Sequence, residues 1–346
     1  MLNDSFEPVL LPLFRLKPAF TYADGIFSPM DRFIFELKTI KNNENNLIIF
    51  KNERKNAKTF YHDYLNSKNL TFNIKISEKK SNTSIGPSQI INNFEQNIIH
   101  DLKYIKKNEY SFKPAEQFCL YGKKEDLFIG NNTDISSMAV IDCREGPVII
   151  DNNVKISAFS HIIGPVYIGA FSQLDRVFLK KSRIGFNCRI GGEIEKSLLG
   201  NFTNKHHEGF IGHTLIGDWV NLGALTTTSD LKNNYSEIRM YYKDIKYSTG
   251  TIKLGSIIGD FVKTSIGTFL NTGTVIDTAS LLYNDRKHFK YYPPFFWGGS
   301  ESKIYEFNKF IKDCNIIMKR RNEKLNSFML KELKKTYEET SLLKTL

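Results

Sequence analysis

The densest run of polar side chains in this chain is Asn204-Lys205-His206-His207-Glu208-Gly209-Phe210. It is followed by Gly217-Asp218-Trp219-Val220-Asn221-Leu222-Gly223-Ala224. Imidazole titrates near neutrality, so a histidine in such a run can accept a proton from an attacking nucleophile without holding it too tightly. His206 and His207 compete for that role, and a loop histidine also has a purely structural use as a hydrogen-bonding group. Asn221 either contacts a ligand or joins a side-chain ladder between neighbouring repeats. Lys205 adds a cation to the cluster, and Lys196, Asp230, Lys232 and Asn233 flank it on either side.

These residues need a scaffold, and the repeats supply one. Ile150, Ile156, Ile162, Ile168 and Leu174 follow one another at six-residue steps, with Ile129, Ile135 and Ile141 upstream in the same step. Further copies are Ile184-Gly185, Ile190-Gly191, Leu199-Gly200, Ile211-Gly212, Ile216-Gly217, Ile258-Gly259 and Ile266-Gly267. A six-residue period fits neither an amphipathic helix nor an alternating strand; it predicts a mainly β fold, a hexapeptide β-helix. Three short strands form a triangular coil, and stacked coils bury their aliphatic side chains along one axis. The period breaks at Phe202–Gly209 and Ser229–Gly250, and insertions in a solenoid map to loops on one face.

Residues 1–118 read as a small α/β unit, with strand-like runs at Leu47–Phe50 and Leu70–Ile76. Its helical stretches are Asp31–Thr39 and Ile90–Ile105, and Ser77–Ser88 reads as a loop. The solenoid occupies 127–299. In the tail, 300–346, apolar residues at Ile304, Phe307, Ile311, Cys314, Met318 and Leu325 predict an amphipathic helix packed on the solenoid or on a neighbouring subunit.

Composition removes several function classes. No apolar stretch is long enough for a membrane span. Cys119, Cys143, Cys188 and Cys314 are scattered without a Cys-x-x-Cys pair, which argues against zinc and disulfides and fits a reducing cytoplasm. The acidic start, interrupted by Pro8 and Pro12, does not read as a signal peptide. The net charge of +11 has no RNA-binding or helix-turn-helix signature beside it, so it suits phosphorylated small molecules better than nucleic acid.

Between about 146 and 299 these motifs resemble the acetyltransferase half of the bifunctional N-acetylglucosamine-1-phosphate uridylyltransferase/glucosamine-1-phosphate acetyltransferase family. The matching stretches are Gly191-Gly192-Glu193-Ile194, Asn204 to Gly212, Ile216 to Ala224 and Ser229 to Asn234. Asn271-Thr272-Gly273-Thr274-Val275 and Pro294-Phe295-Phe296-Trp297-Gly298-Gly299 resemble a sugar nucleotidyltransferase branch of that family. The resemblance implies a left-handed β-helix, a homotrimer, and intersubunit sites that bind acetyl-CoA. It implies that His207 is the general base for a sugar amine attacking the thioester, and that Asn221 contacts the sugar. It places Lys196 near a basic sugar or phosphate contact and Ala224 where the cofactor arm runs. Lys205, Asp230, Lys232 and Asn233 would complete the pocket. Phe210 stands where the family has a tyrosine, Glu195 where it has a lysine, Asp230 in place of an amide and His213 in place of an acid. These departures bear on glucosamine 1-phosphate as the acceptor more than on acyl transfer.

Leu10-Leu11-Pro12-Leu13-Phe14-Arg15-Leu16-Lys17-Pro18 resembles the opening of the family's nucleotidyltransferase domain, and Ile90 to Leu102 its closing helix. The segment between is short and carries no Gly-rich phosphate loop, so a truncated, inactive remnant is expected; Mg2+ would be needed only if it were active. The expected function is acetyl-CoA-dependent acyl transfer to the amine of an amino sugar or sugar phosphate. A non-catalytic trimeric scaffold and a sugar-phosphate nucleotidyltransferase are the alternatives.

Overall fold

A computed structural model describes residues 4–39, 46–51, 57–70, 72–80, 84–106, 109–110, 118–283, 289–298 and 303–342. Gly299 of the C-terminal motif and residues 81–83 of the expected loop lie outside them. The repeats form a parallel β-solenoid. One face is a nine-stranded sheet running from Leu127–Ile129 to Tyr291–Tyr292, every neighbouring pair parallel. A second sheet carries the strands from Cys119–Tyr121 to Asn204–Lys205. The predicted aliphatic column is real: Ile129, Ile141, Ile150, Ile156, Ile162, Ile168 and Leu174 all belong to one buried core. The last strand, Lys303–Ile304, turns back antiparallel onto Phe296–Gly298 and so covers the open edge of the stack.

Each coil turns one corner through a left-handed residue three positions after the inward aliphatic. Phe171, Phe202, Trp219, Phe261 and Phe295 all take positive φ there, a conformation bulky residues seldom adopt. Backbone hydrogen bonds from one coil to the next hold it, as in Trp219 N to Asn201 O at 2.9 Å and Phe261 N to Asp218 O at 2.9 Å. The corner stacks its aromatic rings, with Phe202 and Trp219 4.1 Å apart and nearly parallel.

An N-terminal strap, helical over Pro8–Leu10 and Leu11–Phe14, and the helix Pro87–Asp101 cover the outer face of the nine-stranded sheet. Val9, Leu10, Leu13, Phe14, Ile91 and Phe94 pack there with Ile149, Leu198, Leu215 and Ile257. The α/β unit contains the parallel pair Asn46–Lys51 and Asn73–Lys80 and the helices Pro29–Thr39 and Ala57–Ser67. Ala57–Ser67 was not expected, and Ser77–Lys80 belongs to a strand rather than to the predicted loop.

The tail is two helices, not one. Phe307–Lys319 presents Phe310, Cys314 and Met318 to the aromatic corner, and Ser327–Leu342 follows after a left-handed turn at Asn322. Glu306 caps the first by accepting from the backbone N–H of Asn308 and Lys309. Ile304 lies in the returning strand instead of the helix. Among the described residues no helix is long and apolar enough to cross a membrane.

Candidate active site

Register decides where each nominated side chain points. In a coil-to-coil column Ile156 pairs with Leu174, Leu174 with Ile190, and Ile190 with Lys205. Lys205 therefore occupies an inward slot that every earlier coil fills with an aliphatic side chain. It is 1% exposed, and its ammonium donates to the carbonyl oxygens of Gly191 and His207. Burial lowers its pKa to about 8. Lys205 is thus a clamp under the histidine loop and not a wall of a ligand cavity, as the sequence had suggested.

The neighbouring outward column is Gln173, Arg189, Asn204, Asn221 and Lys263, again in register. Asn204 Nδ2 donates to Asn221 Oδ1 at 2.6 Å, so Asn221 does join an inter-coil ladder. Both asparagines also line a cavity of about 710 Å³, which His206 and His207 share. That volume suits a sugar or nucleotide-sized ligand. The opposite wall is the end of the helix Phe307–Lys319, through Ile316 and Ile317, and the basic pair Arg320 and Arg321 just after it. His206 lines the same cavity: its ring lies 5.0 Å from that of His207, edge to face, and its Nδ1 is buried without a partner among the described residues.

Five further nominated residues lie outside this cavity, engaged or placed elsewhere. Lys196 pairs with Glu95 of the helix Pro87–Asp101 at 3.3 Å. Asp230 accepts from His213 Nδ1 at 2.7 Å; burial raises the Asp230 carboxyl, but His213 outweighs it and holds the group below its ordinary value. Lys232 donates to the backbone oxygen of Glu237, and Asn233 is exposed on the same insertion. The carbonyl of Ala224 accepts from Gly267 N at 2.8 Å between coils, and the residue is half-buried next to the exposed Leu225. Arg189, Lys263, Arg320 and Arg321 line the cavity without having been nominated. Arg189 and Lys263 could have been found from their repeat position just before the inward slot; the tail arginines could not.

The cations of the N-terminal motif are held within the chain. Arg15 makes two parallel bonds to Asp277, at 2.6 and 2.7 Å, and Lys17 lies 2.7 Å from Asp218 and 3.1 Å from Asp260. Both cations are thereby spent on carboxylates of the solenoid corners.

No family model matches the chain. Individual relatives do. The relatives are bifunctional sugar enzymes. The chain is 28% identical over 203 residues to the bifunctional protein GlmU of Thermotoga petrophila, covering 56% of this chain and 38% of that protein. It is 29% identical over 150 residues to the bifunctional sugar-1-phosphate nucleotidylyltransferase/acetyltransferase of Sulfurisphaera tokodaii, covering 40% and 36%. Against the bifunctional protein GlmU of Prochlorococcus marinus it is 32% identical over 150 residues, covering 42% and 28%. The chain thus spans well under half the length of these relatives. A solved mutant of perosamine N-acetyltransferase from Caulobacter crescentus, with CoA and GDP-perosamine, aligns at 12% identity and a TM-score of 0.15. It covers 74% of this chain and 95% of that one.

Proposed function

We propose that the chain transfers an acetyl group from acetyl-CoA to the amine of an amino sugar or sugar phosphate, with His207 as the base. The observation that carries this reading is the meeting of His207, His206, Asn204 and Asn221 in one cavity, from a repeat region that resembles bifunctional acetyltransferases. A thioester supplies an acyl carbon with a good leaving group. The amine nitrogen bonds to that carbon, the carbon–sulfur bond breaks, and His207 takes the proton the amine sheds. The asparagines offer amides for sugar hydroxyls, and Lys205 holds the His207 carbonyl so that the loop keeps its place.

The working unit in this reading is a homotrimer. Met138, Phe159, Leu225, Ile266 and Phe269 are exposed apolar side chains, and Leu225 sits directly over the histidine loop, its N–H donating to Glu208 O at 2.8 Å. Exposed apolar side chains of this kind suit contact with a second copy of the chain. The N-terminal region does not transfer nucleotides in this account, because Arg15 and Lys17 are neutralised by Asp277, Asp218 and Asp260.

Replacing His207 with Ala should slow acetyl transfer by about 10²–10⁴ while leaving the oligomer intact. Thiol release with amino-sugar acceptors, read beside His206→Ala, checks this. An unchanged rate in His207→Ala removes the assignment.

A further inference from the structure

The helix Phe307–Lys319 runs down the stack. Phe310 meets Phe295 and Phe261 at its start, with ring centroids 5.1 and 5.9 Å away. Arg321, just past its end, reaches Asn187 Oδ1 at 3.2 Å, several coils earlier. That path brings Arg320 and Arg321 to the coil of Arg189, across the same cavity that holds the histidines.

Among the described residues Arg189 bonds only to neutral oxygens, those of Phe171, Cys188 and the Asn187 side chain. Among the described residues, none of Arg189, Arg320 and Arg321 forms an ion pair, and Lys263 forms none either. The one carboxylate on the wall, Asp313, lies toward Lys263 and already accepts from the Tyr305 hydroxyl. Three guanidiniums held together without a counter-charge repel each other, and the repulsion is felt in a partly desolvated wall. Burial and Arg321 both press Arg189 below its ordinary pKa, and burial and Arg320 do the same to Arg321. Planar guanidinium forks match phosphate oxygens two at a time. By contrast Lys196, the lysine that resemblance would assign to a phosphate, is held by Glu95.

We propose that the cleft between solenoid and tail helix is an anion site in which Arg189, Arg320 and Arg321 take the phosphate or pyrophosphate of a substrate. This deepens the acyl-transfer reading by giving the ligand beside His207 a phosphorylated end, and it makes the tail part of the site. The phosphates of CoA and those of a sugar nucleotide share this chemistry.

Calorimetric titration of the full chain with inorganic pyrophosphate tests the site. Saturable binding is expected, weakening as salt rises. It should fall by about tenfold or more in Arg320→Ala/Arg321→Ala, in proportion to the charge-assisted bonds removed. Arg320→Ala alone, at an exposed position, should show part of the loss with an unaltered melting curve. In His207→Ala pyrophosphate binding should stay within about twofold, which separates this inference from the catalytic assignment. Repeating the comparison with CoA against pantetheine, and with a nucleoside-diphosphate sugar against the free amino sugar, identifies which substrate brings the anion. Arginine dependence in either phosphorylated arm supports the site. No saturable pyrophosphate binding, or equal binding by the wild type and the double variant, overturns it, whatever His207→Ala does to acetyl transfer.

Discussion

Two groups of basic side chains on this solenoid are treated in opposite ways. In the N-terminal strap, Arg15 and Lys17 are buried and each is matched by carboxylates from the corners: Asp277 for one, Asp218 and Asp260 for the other. In the cleft under the tail helix, Arg189, Arg320 and Arg321 converge without an ion pair among the described residues. Matched charge fastens one part of the chain to another and has nothing left for a ligand. Unmatched charge facing an open cavity costs stability, and structures retain such costs where a site has work to do. Arg15 and Lys17 thus fasten the strap to the solenoid, while the unpaired guanidiniums of the cleft come from one solenoid strand and from a tail that no motif marks.

The largest test of that contrast is Lys17→Met. It leaves the buried Asp260 and the half-buried Asp218 without their cation and should cost about 3–5 kcal/mol in denaturant unfolding. A loss below about 1 kcal/mol would mean the strap is not fastened by charge. Within the same cluster the two carboxylates should differ. Burial raises Asp260, to about 6, and the neighbouring Asp218 adds to the rise. Burial also raises Asp218, but Lys17 more than offsets it and holds that group below its ordinary value. Asp218→Asn should therefore cost about 1.5–3 kcal/mol, and Asp260→Asn under about 1. Because folded Asp260 binds its proton at higher pH than the unfolded chain does, the wild type should gain on Asp260→Asn as pH falls from about 6 toward 4. Unfolding free energies across that range check both statements.

Lys205→Met sets the clamp against the same logic. The folded ammonium titrates near 8, below its unfolded value, so the charge opposes folding under neutral conditions. The methionine variant should match or exceed the wild type in stability at pH 7. The wild type should recover as pH rises from about 8 to about 10.4, by an amount on the order of 1–3 kcal/mol. Acetyl transfer should still fall, since the His207 carbonyl loses its donor; a variant both more stable and fully active would leave the clamp without a role. The smallest effect is expected at Lys196→Ala, which breaks a half-exposed pair with Glu95 and should cost about 0.5 kcal/mol with no change in acceptor affinity.

The six-residue step made the axial core readable, because burial of one aliphatic per strand imposes it over long stretches. It failed where the period broke. Ile266-Gly267 looks like another copy, yet Ile266 is 75% exposed and Thr264, in step with Ile258, takes the inward slot. Lys205 was hidden for the same reason: a lysine in an aliphatic slot reads as a loop residue until the pairing Ile190 with Lys205 is known. The histidine loop was legible as a polar cluster, and Asn221 as one of two uses that turn out to be compatible. The meeting of Arg189 with Arg320 and Arg321 depends on where a distant helix docks, which local pattern does not encode. Likewise, tail spacing predicted apolar contacts but not the turn at Asn322 that divides it into two helices.

A structure of the full chain with CoA and a phosphorylated amino sugar would test the central claim most directly. It should place the sulfur and the sugar amine within reach of His207 in the Asn204–Asn221 cleft. Ligands bound elsewhere on the molecule, with the His206–His207 cleft empty, would contradict the account.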